Sequence, residues 1–321
     1  MKLQGWLCAT LALLGFAAQA QDAAFPNRAL RIVVPTSPGS GSDTTARFFG
    51  EQLATLLGQP VVVDNKPGAN GVIAAMAVKA APADGYTLFL GTNTHMAVNP
   101  IVVKNLQYDA VKDFKFVAGL ARGMMIFVTS PNSKLGSAKE LVAASKSASK
   151  ELTVGSYTSG FHLSAEWFAA MSGTRHVYIN YKGAPEVFTA LMGDQLDWAV
   201  TDLIAAVPQV KAGKLKAIGV TGETRNPTIP DVPTMIEGGL PDFVSMSFTG
   251  LVAPAGTPPA MIKRVSDVLE SGLATVEVRT VMEKLGVIPM PGTPADFGAF
   301  LARESIKWRT VAKNAGIKIT N

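Results

Sequence analysis

The chain has 321 residues, with 29 Lys and Arg against 24 Asp and Glu, a net charge of +5. That excess is mild and no basic stripe is interleaved with aromatic residues, so no nucleic-acid partner is expected. Cys8 is the single cysteine, which excludes an internal disulfide framework and any cysteine metal site.

The opening MKLQGWLCATLALLGFAAQA carries Lys2, an almost wholly apolar run from Trp6 to Ala18, and a small-x-small site at Ala18-Gln19-Ala20. It reads as a signal peptide over residues 1–20, cut after Ala20; a membrane span would need about 20 apolar residues. Cleavage also removes Cys8, which suits an oxidising compartment, and export is expected. The remaining chain is long enough for two domains.

Strand-length apolar runs then alternate with amphipathic segments. LRIVVP precedes a helix expected over Asp43–Leu57, with Gly58 as its stop. PVVVDN, the helix VIAAMAVKAA and the strand YTLFLGT come next, so parallel β-α-β units are predicted. The middle repeats the plan: strand ELTVGS, loop YTSGF, a helix from His162, strand HVYINY, a tight Lys182-Gly183 turn, a helix from Ala184, strand QLDWAVTD, a helix interrupted by Pro208, and strand LKAIGVTG. From Ser247 the text turns mostly helical. A discontinuous first domain, 26–127 plus 247–321, and a second, 128–246, are expected. Both are α/β, each a mainly parallel sheet flanked by helices.

Chemistry is sparse. No Gly-x-Ser-x-Gly elbow, phosphate-loop lysine or complete dinucleotide fingerprint is present. His95, His162 and His176 form no ligand array, so neither metal nor cofactor is expected. Asp43 and Asp202 stand near strand-to-helix junctions, where capping free N–H groups is the favoured role over acid–base work. The loops say more. Thr36–Ser42 and Ser156–Phe161 precede helices whose N-termini offer unpaired N–H groups and partial positive charge, an anion site without any cation. A third strand end carries Thr92, Asn93, Thr94, His95 and Asn99. All three lie at the carboxyl ends of strands, where α/β sheets take ligands. Across a cleft between two domains they would hold a small carboxylate.

The stretches RIVVPTSPGSGSDTTAR, VVVDNKPGANGVIAA, APADGYTLFLGTNTHMAVNP, YDAVKDF, YKGAPEVFTALMGDQLDWAVTD, IPDVPTMIEGGLPDF and GLVAPAGTPPAMI together resemble the Bug family, substrate-binding proteins of tripartite tricarboxylate transporters. The likeness covers nearly the whole chain after residue 20. It implies a two-domain periplasmic binding protein fold of type II that closes on a carboxylate in the interdomain cleft, acts as a monomer, and delivers to membrane components of an importer. By motif, the implied ligand-binding residues are Thr36, Ser37, Gly39, Ser40, Gly41 and Asp43; Thr92, Thr94, His95 and Asn99; and Ser156, His162, Lys182, Gly183, Ala184 and Asp202. Two departures stand out: Ser40 replaces a glycine of the usual first loop, and GSYTSGFHL is shorter than the usual facing loop. The shorter loop brings in Tyr157, Thr158 and Phe161. Tyr157 or Phe161 lining the rest of the pocket would favour a ring or an extended chain; the alternative is that both merely close the domain surface. Two other readings remain: an exported enzyme using Asp43, His95, His162 and Asp202, and a receptor feeding a sensor protein.

Overall fold

A computed structural model describes residues 25–317; the leader and Cys8 lie outside the described residues. β1 (Leu30–Val34), α1 (Gly41–Leu57), β2 (Val61–Asn65), α2 (Val72–Lys79) and β3 (Thr87–Thr92) come first. β1 lies between β2 and β3 and parallel to both, with Ile32 opposite Val63 and Leu88. α1 buries Phe49, Leu53 and Leu57 against this sheet, and Gly58 ends it in a left-handed C-cap at φ 68°. Each such buried side chain contributes about 1.5–3 kcal/mol over leaving it in water. Past β3 the helical period stretches into a π-turn over Thr94–Val98, which runs into the short α3 (Asn99–Val102).

β4 (Phe114–Thr129) then runs for 16 residues and changes partners midway. Up to Met124, opposite Met246, it pairs antiparallel with β9 (Met246–Pro254). From Met125, opposite Asp202, it pairs with β7 (Trp198–Asp202), and β8 (Lys216–Val220) borders its other edge. One strand thus joins two sheet sections. In the second section, α4 (Ala138–Ser147), β5 (Leu152–Ser156), α5 (Ser159–Ser172), β6 (His176–Asn180), α6 (Ala184–Met192), β7 and α7 (Leu203–Lys211) repeat the strand–helix plan. β5 runs parallel to β6 and β7. The terminal α8 (Pro259–Ala274), α9 (Val276–Lys284), β10 (Val287–Pro289) and α10 (Pro294–Asn314) return to the first section. There Val265 and Leu269 join Leu53 in one core cluster, while β10 pairs with Ala121–Gly123 of β4.

The sheet curls through the order β2-β1-β3-β9-β4-β7-β5-β6. It holds the expected parallel units but is mixed as a whole, because β4 and β9 run antiparallel to their neighbours. Gly119, Arg122 and Gly123 interrupt the apolar pattern of β4, and its register against β9 shifts between Phe116 and Ala118 and again between Gly119 and Ala121. Helix starts also differ from the expected ones. α1 begins at Gly41 rather than Asp43, and α5 at Ser159 rather than His162, since Thr158 caps α5 by accepting the Phe161 N–H at 3.4 Å. α7 passes through Pro208 to Lys211 as one helix, without the expected interruption.

Candidate ligand cleft

The entry turns of α1, α5, α6 and α7 meet across one cleft, floored by β4 and β9. Ser40 is the N-cap of α1, yet its hydroxyl makes no capping bond. Its Oγ accepts the Ala184 N–H at 3.0 Å, across the cleft at the start of α6. The Ser37 N–H donates to the Lys182 carbonyl at 3.2 Å, and the Ser37 hydroxyl donates to Glu186 Oε1 at 2.7 Å. The Gly41 N–H donates to Asp202 Oδ2 at 3.2 Å. At α5, the Gly160 N–H donates to Thr94 Oγ1 at 3.2 Å, and the Ser159 hydroxyl donates to Asn99. Each half therefore supplies polar groups to helix N-termini of the other, and the cleft is shut. The approach is close enough to demand glycine: a Cβ at Gly183 would lie 2.6 Å from Ser37 Cβ, and one at Gly41 would lie 2.1 Å from Asp202 Oδ1.

Asp202 caps α7 by accepting the Ala205 N–H at 2.8 Å, and Tyr157 OH donates to its other oxygen. Burial pushes its carboxyl above the ordinary 3.8, against those donors and Gly41. Burial likewise drives the Tyr157 hydroxyl well up, reinforced by the neighbouring Asp202 charge. Asp43 differs. Burial would raise it, but bonds from Arg47, the Gly39 N–H and Asn65 outweigh that and hold it below the ordinary value.

Between these turns lies a cavity of about 40 Å³. Gly41, Ser42, Thr92, Asn93 and Thr94 line it from the first section, and Tyr157, Thr158, Phe161 and Asp202 from the second. Ala121, Gly123, Met124, Ser247, Phe248 and Thr249 form its floor. No Lys, Arg or His is among its lining residues. The donors that negative charge in it would meet are uncharged, such as the first-turn N–H groups of α1 around Ser42, while the Asp202 carboxyl also lines it.

The structure separates the residues named from sequence. Gly41, Thr92, Thr94, Tyr157, Thr158, Phe161 and Asp202 reach the cavity. Ser37, Ser40, Asn99, Lys182, Gly183 and Ala184 lie on the seam beside it. Thr36, Gly39 and Asp43 build the first turn from behind: the Thr36 carbonyl accepts from Asn65, and the Gly39 N–H donates to Asp43. His95 is fully buried, its Nδ1 2.9 Å from Thr92 Oγ1, and burial pulls its pKa down to about 3. Ser156 faces Asn180 at 3.4 Å. His162 stacks on Tyr178 with centroids 4.3 Å apart and contacts Glu166, outside the cavity lining. The floor residues of β4 and β9 carried no sequence signal, being small or apolar and far apart in the chain. Asn93 stood within a recognised polar strand end.

Two lobes built on one curled sheet, shut over an enclosed pocket at strand ends, define a solute receptor of the periplasmic binding protein class. A family profile described as tripartite tricarboxylate transporter family receptor matches residues 45–317, and the chain belongs to that family. BugT of Bordetella pertussis (strain Tohama I) is 31% identical over 312 residues, 96% of each chain. R. palustris Rpa4515, solved with adipate, has TM-score 0.88 at 30% identity, covering 91% of this chain and 99% of that one. MatC from Rhodopseudomonas palustris, with bound malate, has TM-score 0.84 at 29% identity over 89% and 99%. The periplasmic binding protein BugD matches at 0.87 and 29%, over 91% and 99%. These relatives are binding receptors rather than enzymes. Among the described residues, no helix is long and apolar enough to cross a membrane.

Proposed function

We propose that this protein is a periplasmic receptor that closes its two lobes on a small carboxylate and presents it, as a monomer, to the membrane components of a tripartite importer. The observation that carries the reading is a cavity at the first turn of α1, lined by uncharged donors and the Asp202 carboxyl and by no cation. Neighbours of the same fold solved with adipate and with malate support a carboxylate guest. The lobes are residues 26–127 with 247–321, and 128–246, and β4 is the strand that joins them.

Tyr157 and Phe161 pack edge to face at 4.8 Å, and the Tyr157 hydroxyl is spent on Asp202, so both serve as wall. Turnover finds little support, since His95 is buried with its Nε2 unpartnered and His162 faces Glu166 and Tyr178.

Mass spectrometry of the acid that co-purifies is the direct test, joined to thermal unfolding with added acids. A true ligand at a hundred times its Kd adds about 2.7 kcal/mol of stability and is recovered unaltered after long incubation. Failure of every organic acid to stabilise the protein, or conversion of the acid to product, rejects the reading. Loss of uptake on deletion of the importer's membrane components separates transport from sensing.

A further inference from the structure

The ribbon made by β4 and β10 serves two concave surfaces. Ala121, Gly123 and Val287 line the cleft cavity, whereas Arg122 and Ile288, opposite each other in the ladder, line a separate outer groove. Phe297, Phe300 and Arg303 of α10 form its other wall, around a volume of about 260 Å³. The lining is largely apolar: Phe297 is buried, Met290 half-buried, and Ile288 is left 52% exposed. Two cations border it, and neither has an acidic partner among the described residues. The Arg122 guanidinium lies 5.7 Å from the Phe300 ring centroid, and Arg303 is exposed. Arg28, Arg31 and Arg47 of the same lobe, by contrast, each pair with an aspartate. Asp296 also lines the groove, but its Oδ2 is taken by the N–H and hydroxyl of Thr293 at 2.9 and 2.7 Å. Arginine beside aromatic and Met side chains is the composition of protein–protein interface centres. An anionic lipid surface instead calls for a cluster of roughly four to eight Lys and Arg, which two arginines set in a groove do not supply.

We propose that this groove docks an acidic segment of the importer's membrane components, with carboxylates on Arg122 and Arg303 and an apolar side chain between Ile288 and Phe300. The inference rests on the import reading and names the contact surface that reading requires. A guanidinium fork takes a carboxylate through two parallel bonds, which fixes orientation as well as charge. Arg122 stands just ahead of Met124, the last residue of β4 paired with β9 before Met125 pairs with β7. A partner seated in the groove therefore grips the strand that both floors the cavity and joins the lobes.

Surface plasmon resonance tests this, with the purified protein and the acid it carries passed over the membrane components held in phosphatidylcholine nanodiscs. Arg122→Glu and Arg303→Glu are each expected to weaken docking by about tenfold or more. Mass spectrometry should still recover the wild type's acid from both, since neither residue lines the cleft cavity. Arg303→Glu changes an exposed helix position, should melt as the wild type does, and decides the matter if Arg122→Glu folds poorly. Lys263→Glu, on α8 and outside the groove, should dock unchanged. Docking of Arg303→Glu as tight as the wild type's, or an equal loss in Lys263→Glu, overturns the inference and leaves the receptor reading standing. Equally tight wild-type binding to phosphatidylglycerol nanodiscs without the membrane components gives the groove to lipid and also overturns it. A wild type that ignores the membrane components overturns this inference and the import reading together.

Discussion

The turn entering α1 and the turn entering α7 each hold an aspartate, and the two are handled in opposite ways. Asp43 has its own cation: Arg47 donates to it at 3.0 and 2.9 Å, with the Gly39 N–H at 2.9 Å and Asn65 at 3.0 Å. Every one of those partners belongs to the same lobe. Asp202 has no cation, is half-buried at the cavity wall, and takes one of its donors, Gly41, from the other lobe. A carboxylate paired at home fixes the shape of a turn. One left unpaired at a seam gains a donor only when the lobes meet, so it couples closure to its own solvation.

The strongest break of that contrast is Asp202→Ala. It removes the α7 cap, the Tyr157 partner and the bond from Gly41, and a loss of about 3 kcal/mol is expected in urea unfolding. A cost no greater than that of Asp43→Ala would erase the distinction. Gly183→Ala comes next. Its backbone is extended, at φ −172°, so alanine is tolerated locally, but the new Cβ meets Ser37 and Ser40 across the seam. Ligand affinity should fall about tenfold or more, a change of about 1.4 kcal/mol, with the ligand-free melting temperature nearly unmoved.

pH sharpens the comparison at a smaller scale. The folded pKa of Asp43 is lowered, so its contribution is present above the ordinary 3.8 and is lost as pH falls through the lowered value. That of Asp202 is raised, so its contribution is complete below 3.8 and is lost as pH rises through the raised value. Urea midpoints measured from about pH 3 to pH 8 should therefore show Asp43→Asn flattening the acid limb and Asp202→Asn the limb above it. Asp43→Asn should cost about 1 kcal/mol at neutral pH. Least of all, His162→Ala, on an outer face against Tyr178, should change stability by about 0.5 kcal/mol or less and leave ligand binding intact.

Much of the first lobe could be read from the chain, because LRIVV and VVVDN are bounded by turn residues and α1 carries an apolar stripe. The glycine-serine turn before α1 and the tight Lys182-Gly183 turn were legible for the same reason: short polar residues and glycine leave few local alternatives. β4 was not. Its side chains answer to two different sheet sections along one strand, so no single period describes it, and its register shifts further blur the alternation. The cavity floor was equally hidden, since Ala121, Gly123, Ser247 and Thr249 matter through being small or unpaired once brought together. The π-turn over Thr94–Val98 also escaped, as a one-residue widening of a helix leaves no mark in composition.

β4 passes from one set of neighbours to the other without a gap, Met124 beside Met246 and Met125 beside Asp202. A ribbon laced on its edges by main-chain bonds yields to torsion far more readily than to sideways shear. If the receptor proposed above opens and shuts, its travel would follow something like a leaf spring's single arc, set by the strand's own twist. A guest would then set how long the spring stays wound, along a route laid down in the backbone.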